Sequence, residues 1–233
     1  MHFGQTKTSF LIVQDLDLTR SEREMLKAIY RLAKLDGCAH TGDLAGALGV
    51  SPGTATASVK RLADHGLAVH QPYHGVELSA AGRVAAVGAI RRHRIVERFL
   101  SDMLGYPWNE ADRLAPSFEH DLPDEVTERL FMALDRPPTC PHGFPIPAPQ
   151  QAHIAELPPL YGLEPGAVAV IAVPGSLAPE IVAFLDTLGL RPGTKVEVIE
   201  KQPFDGPLVL RVEGKDRVLG ERIARQIYVK KEP

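Results

Sequence analysis

Side chains with metal-binding chemistry recur along this chain at helical spacing. His93 and Glu97 stand four apart in RRHRIVERFL (91–100), so on a helix they share one face. In NEADRLAPSFEHDLPDEV (109–126), Asp112, Pro116, Glu119 and His120 fall at i, i+4, i+7 and i+8 and line one face of a second helix. Glu24 adds a carboxylate in an earlier helical stretch. Imidazole and carboxylate donors from different elements suit a borderline-to-hard divalent cation. A single His–Glu pair on a charged helix is most economically a solvated pair, worth roughly a few tenths of a kcal/mol. Two such faces favour a metal site. Cys140 and His142 also have ligand-like spacing, but a second pair is missing.

The elements that must position these residues follow from periodicity. Residues 19–136 are rich in Ala, Leu, Arg and Glu at helical spacing. Thr19 or Ser21 can cap a first helix through about Leu35, with Met25, Leu26, Ile29, Leu32 and Ala33 on its apolar face and Gly37 ending it. A second helix is expected over 41–48, and a third carries Ala57, Val59 and Leu62 and stops at Gly66. Two β-like runs, LAVHQ and GVELS, flank a turn, after which Ser79 can cap the next helix. Asn109 can cap the helix of the second acidic face.

Two short helices joined by a Gly-containing turn and followed by a β-hairpin form the winged helix-turn-helix pattern. The third helix offers Ser51, Pro52, Thr54, Thr56 and Ser58, with Lys60 and Arg61 further on, as DNA-binding candidates. Small hydroxyl side chains let a helix sit deep in the major groove. Lys60, Arg61 and the wing residues His70 and His74 can approach the phosphate backbone. The net charge is only −3, so a DNA site must be a local patch, and modest intrinsic affinity suits binding that has to be switched on.

A run of prolines, RPPTCPHGFPIPAPQ (136–150), reads as a stiff linker. Beyond it AVAVIAV (167–173), KVEVIE (195–200) and PLVLRV (207–212) point to a small β-barrel with one helix near 179–188. The fold class expected is a mainly α N-terminal winged helix-turn-helix plus a helical metal-binding and dimerisation domain, followed by an SH3-like β-barrel. The expected divisions are a tail over 1–18, the winged helix over 19–80, the helical domain over 81–136, the linker over 137–160 and the β domain over 161–233. Leu100, Met103, Leu104, Leu130 and Leu134 are expected to build a homodimer interface alongside the core.

The chain is 233 residues long, with 44% hydrophobic and 24% charged residues, the balance of a globular protein. Two cysteines are too few for a disulfide framework and fit a reducing compartment. The apolar run FLIV near the N-terminus is too short for a signal peptide or a membrane span. A cytoplasmic protein with no membrane partner is expected.

These motifs together resemble the diphtheria toxin repressor family of metal-dependent transcriptional regulators. The matching pieces are the winged helix at 19–80, HRIVERFLSDMLG (93–105), FEHDLPDEVTERL (118–130), CPHGFPIP (140–147) and LDTLGLRPGTKVEVIE (185–200). The resemblance implies a homodimer that binds divalent metal and then a palindromic operator in double-stranded DNA. It implies metal ligands at Glu24, His93, Glu97, Glu119 and His120, with Asp112 at a second-site position. A carboxylate at Glu24 points to Mn(II), with Fe(II) second and Zn(II) or Co(II) as in vitro substitutes. Two positions depart from the family: Pro116 stands where Cys or Glu usually ligates, and Lys27 where manganese-type members can carry a second acid. The expected partition is one site of Glu24, Glu119 and His120, and another of His93, Glu97 and Asp112, with Glu180 as a contributor from the C-terminal domain. The Cys140–His142 motif is implied to be a structural turn. The competing readings are a metallohydrolase built on the same cluster and a winged-helix regulator that answers a small organic ligand.

Overall fold

The computed structural model describes residues 18–36, 38–71, 75–173 and 177–232, in two compact units. Residues 1–17 of the expected tail over 1–18, the helix stop at Gly37 and the wing residue His74 lie outside the described residues.

The first unit, residues 1–93 with 147–154, opens on helix α1 (Arg20–Asp36). Thr19, not Ser21, caps it. The Thr19 N–H and hydroxyl donate to Glu22 Oε2 at 2.9 and 2.7 Å, and the Glu22 N–H returns to the Thr19 hydroxyl at 3.3 Å. This reciprocal arrangement satisfies otherwise orphaned backbone donors. Helix α2 (Thr41–Leu48) ends at Gly49, whose φ of 64° lets its N–H turn back to Ala45 and Gly46. Helix α3 (Pro52–Asp64) starts from Ser51, which accepts from the Thr54 N–H, with Pro52 in the first turn. Strands β1 (Ala68–Gln71) and β2 (Gly75–Leu78) pair antiparallel from Ala68↔Leu78 to Gln71↔Gly75, giving the wing. Met25, Leu26, Ile29, Leu44, Ala55, Val59, Leu62, Leu67 and Val76 fill one core under these elements.

Helix α4 (Ala80–Arg98) starts at Ser79, which accepts from the Gly82 N–H at 3.0 Å as the sequence led us to expect. It relaxes into a π turn at Phe99–Met103. Helix α5 (Trp108–Leu114) follows Pro107, so Asn109 sits inside the helix and is not its cap. Helix α6 (Pro116–Glu119) is separate because Pro116 has no N–H to return to the Asp112 carbonyl. Helix α7 (Asp124–Ala133) completes the helical part. Val96, Leu100, Ala111 and Ala115 pack together between α4, the π turn and α5. Leu100 is therefore core rather than interface, whereas Met103, Leu104, Phe118, Val126 and Met132 are exposed.

The second unit, residues 94–146 with 155–233, also holds the β domain. Its strands β3 (Val168–Ala172), β4 (Lys195–Lys201), β5 (Leu208–Val212), β6 (Lys215–Leu219) and β7 (Tyr228–Lys231) form one antiparallel sheet in the order β6-β5-β4-β3-β7. Helix α8 (Pro179–Thr187) lies between β3 and β4, and the short helix α9 (Glu221–Ala224) precedes β7. Among the described residues no helix is long and apolar enough to cross a membrane.

Candidate metal centre and DNA-reading helix

Helix α3 turns one face inward and one outward. Ala55, Ser58, Val59 and Leu62 are buried, while Ser51, Pro52, Thr54, Thr56, Lys60 and Arg61 are exposed. Ser58 is thus corrected: its spacing from Ala55 and Leu62 puts it on the core face, where its hydroxyl accepts from Arg61 Nη2 at 3.0 Å. Thr56 donates its hydroxyl to the Pro52 carbonyl at 2.9 Å. Glu22, buried in α1, faces the far end of α3, with Oε1 3.6 Å from His65 Nδ1 and 3.9 Å from Arg61 Nε. Burial by itself would push the Glu22 carboxyl up. The Thr19 hydrogen bonds, His65 and Arg61 outweigh it and hold the group below the usual carboxylate range. His70 stands on β1.

The ligand candidates of the second unit gather around Glu97. Helix α4 carries His93 and Glu97 one turn apart, both buried at 7% and 2% exposure. A side-chain oxygen of Asp112, on α5, lies within 4.8 Å of a Glu97 carboxylate oxygen. The turn after α7 brings two more donors to the same carboxylate. Buried Cys140 and His142 form a group with Glu97 whose ligand atoms all lie within 4.8 Å of one another, and His142 Nδ1 is 3.0 Å from Glu97 Oε1. Glu119 and His120, at the end of α6, form a separate pair with His120 Nε2 3.8 Å from Glu119 Oε1. Glu24 stands on α1, partly buried. Glu180 is exposed on α8 and joins no such group among the described residues.

The structure thus places at Glu97 a pair of donors whose ligand-like spacing lacked a partner in the sequence and which the resemblance implied to be a turn. The turn is real: Cys140 N–H donates to the Phe144 carbonyl at 2.9 Å, Gly143 N–H to Cys140 at 2.9 Å, and Ile146 N–H to Pro138 at 2.9 Å. Residues 138–146 therefore close on themselves instead of running as extended linker. The Arg94 guanidinium donates to the Pro145 carbonyl and lies 5.6 Å from the centre of the Phe144 ring. The β domain holds the turn from the other side. Val173 N–H donates to the His142 carbonyl at 3.0 Å, and from α5 the Trp108 ring meets the imidazole edge-on at 5.1 Å. The signal available in the sequence was the Cys-x-His spacing itself. Its partner Glu97 lies too far upstream for spacing to reveal.

Gly143 is required by this packing. Its φ is +87°, and an added Cβ would lie 3.1 Å from the Ala172 Cβ and 3.1 Å from the Ile171 carbonyl oxygen. Gly143→Ala is expected to cost about 2 kcal/mol or more through backbone strain and overpacking. Urea denaturation measures it, and a variant as stable as the parent would show that the turn is not clamped against β3.

The donor set fits a divalent cation by its chemistry. Buried carboxylates, imidazoles and one thiol are the donors that first-row divalent ions take, and such charges are costly inside a protein without a counter-ion. Three domain models match the chain in order. They are the iron dependent repressor N-terminal DNA binding domain over residues 17–76, the iron dependent repressor metal binding and dimerisation domain over residues 79–148, and the FeoA domain over residues 159–231. The chain belongs to the diphtheria toxin repressor family. Iron-dependent repressor IdeR of Mycobacterium leprae (strain TN) is 29% identical over 229 residues, 92% of this chain and 99% of its own. A solved manganese-dependent transcriptional repressor in complex with manganese is similar at a TM-score of 0.79 and 29% identity, covering 91% of this chain and 100% of that one. ScaR with bound Zn2+ is similar at a TM-score of 0.74 and 28% identity, covering 91% and 99%. This diphtheria toxin repressor relative is a metal-dependent, DNA-binding transcriptional repressor with a dimerisation domain, and not an enzyme. The hydrolase and organic-ligand readings give way to it.

Proposed function

We propose that this repressor is switched on by Mn(II), with Fe(II) as the second physiological candidate and Zn(II) or Co(II) as ions it takes in vitro. The observation that carries the reading is the buried Glu97 carboxylate, approached by Asp112 from one side and by Cys140 and His142 from another. Glu97 with His93 and Asp112 holds one ion, and Cys140 and His142 extend the donor set there. Glu24, Glu119 and His120 hold another, as the family motif implies. The carboxylate-rich donor set favours a hard ion such as Mn(II), and the single thiol widens tolerance towards Fe(II), Zn(II) and Co(II). An ion bound at Glu97 would neutralise the buried acid and link α4 to α5.

The protein works as a homodimer, joined through exposed apolar residues of the helical domain such as Met103, Leu104 and Met132. Two copies of α3 then present Ser51, Pro52, Thr54, Thr56, Lys60 and Arg61 to successive major grooves of a palindromic operator that controls metal-uptake and homeostasis genes. The ion acts by preferring the DNA-competent conformation. The domain divisions follow as 19–80 for DNA binding, 81–136 for metal and dimer contacts and 161–233 for the β domain. The protein acts in the cytoplasm, where its DNA is.

The test selects duplexes from a random pool in the presence of Mn(II), then measures affinity by fluorescence anisotropy with Mn(II) and with chelator. An affinity gain on the order of 100-fold with metal is expected. Equal affinity in chelator would refute metal control.

A further inference from the structure

Helix α1 carries a cation in an unusual place. Lys27 is buried, its side chain only 4% exposed, and its Nζ lies 2.8 Å from Glu24 Oε1 one turn away. Lysine is almost never fully buried unless it is paired, because withdrawing an ammonium from water is costly. The ordinary Glu–Lys pair on a helix is solvated and nearly neutral in effect. This pair is different in kind, because its cationic end is shielded from water and Coulomb forces there are stronger. Its anionic end is the carboxylate assigned to the metal in the first helix.

We propose that Lys27 is a built-in counter-cation that holds Glu24 in the metal-free protein and competes with the divalent ion for it, so setting the metal concentration at which the switch responds. The inference rests on the reading of Glu24 as a metal ligand. A carboxylate whose oxygen already lies 2.8 Å from an ammonium is a weaker donor to a divalent ion, because both cations draw on the same negative charge. The ammonium also repels the incoming ion directly. Both effects weaken metal binding at Glu24. In return the metal-free protein keeps the carboxylate and the buried ammonium compensated. The exchange is one cation for another, which lets α1 stay folded whether or not metal is present.

The test uses the full chain with Lys27→Met, which keeps length and removes charge, and Lys27→Gln as a second variant that keeps a hydrogen-bond donor. Mn(II) binding is followed by calorimetry and by the free Mn(II) signal in electron paramagnetic resonance. Both variants are expected to bind Mn(II) at least about tenfold more tightly. Their metal-free melting temperatures should fall, and the rise in melting temperature on adding Mn(II) should grow. Unchanged or weaker Mn(II) binding in both variants would overturn the proposal. Glu24→Gln and the double variant Glu24→Gln/Lys27→Met separate the two readings. If Glu24→Gln alone leaves Mn(II) binding intact, Glu24 is not a ligand and both readings fall. If Glu24→Gln weakens binding and Lys27→Met still tightens it equally in that background, the charge acts without Glu24 and only the proposal fails.

Discussion

Glu97→Gln is expected to abolish Mn(II)-activated DNA binding while the chain keeps its fold. Glutamine matches glutamate in volume and can still hydrogen-bond, so the packing of α4 is preserved. What is lost is the negative charge that two sets of neighbours share. Asp112 reaches Glu97 from α5, and Cys140 and His142 reach it from the turn at 138–146. A variant at Asp112 removes one approach, whereas a variant at Glu97 removes the centre of both. Loss of a charged donor from a buried divalent site leaves the remaining donors with too little charge to offset dehydration of the ion. The apparent Mn(II) requirement for DNA binding should therefore rise on the order of 100-fold or more, the full range of the switch. Anisotropy titrations with Mn(II) read the effect, and circular dichroism of the metal-free variant checks the fold. A variant that responds to Mn(II) like the parent would show that Glu97 serves His142 alone and no ion.

The architecture was legible wherever local rules act alone. Helix α2 spans Thr41–Leu48 as its periodicity required, and Ser79 starts α4 because a hydroxyl before a helical run is the cheapest partner for its free N–H groups. Side-chain direction was harder. Ser58 has the chemistry of a DNA contact, but its position relative to Ala55 and Leu62 turns it inward, and residue type cannot report that. Asn109 has the chemistry of a cap, yet the helix already begins at Trp108, with Pro107 in the extended position before it, so Asn109 falls inside the first turn. The shared face of His93 and Glu97 was legible because both repeat within α4, whereas Asp112 on α5 and Glu119 at the end of α6 stand on separate helices that Pro116 divides. The place of Cys140 and His142 beside Glu97 was not legible, because it depends on a contact far away in the chain and on a turn pinned by β3. Glu180 looked suitable as an acid near the β domain, but α8 exposes it.

The metal-free protein should lose stability as the pH rises from about 6.5 to about 9, and His142 is the reason. Burial on its own would lower the pKa of this imidazole. The hydrogen bonds to Cys140 and Glu97 and their charge outweigh burial and raise it from 6.5 to about 9. A group whose pKa is raised by folding binds its proton more tightly in the folded chain than in the unfolded one. Its contribution is complete below the unfolded value, near 6.5, and disappears as the pH passes through the folded value, near 9. The shift corresponds to about 3 kcal/mol for this buried group. The same proton opposes metal, because an imidazole must be neutral to ligate. Mn(II) binding that uses His142 should strengthen by up to about tenfold per pH unit across that window, with proton release on binding. Urea denaturation of metal-free protein at several pH values measures the first effect. Calorimetry in buffers of different ionisation enthalpy counts the protons. His142→Gln should flatten both dependences. If the parent shows no slope, or the variant keeps the same slope, the buried His142–Glu97 contact is not an ion pair and the proton sits elsewhere.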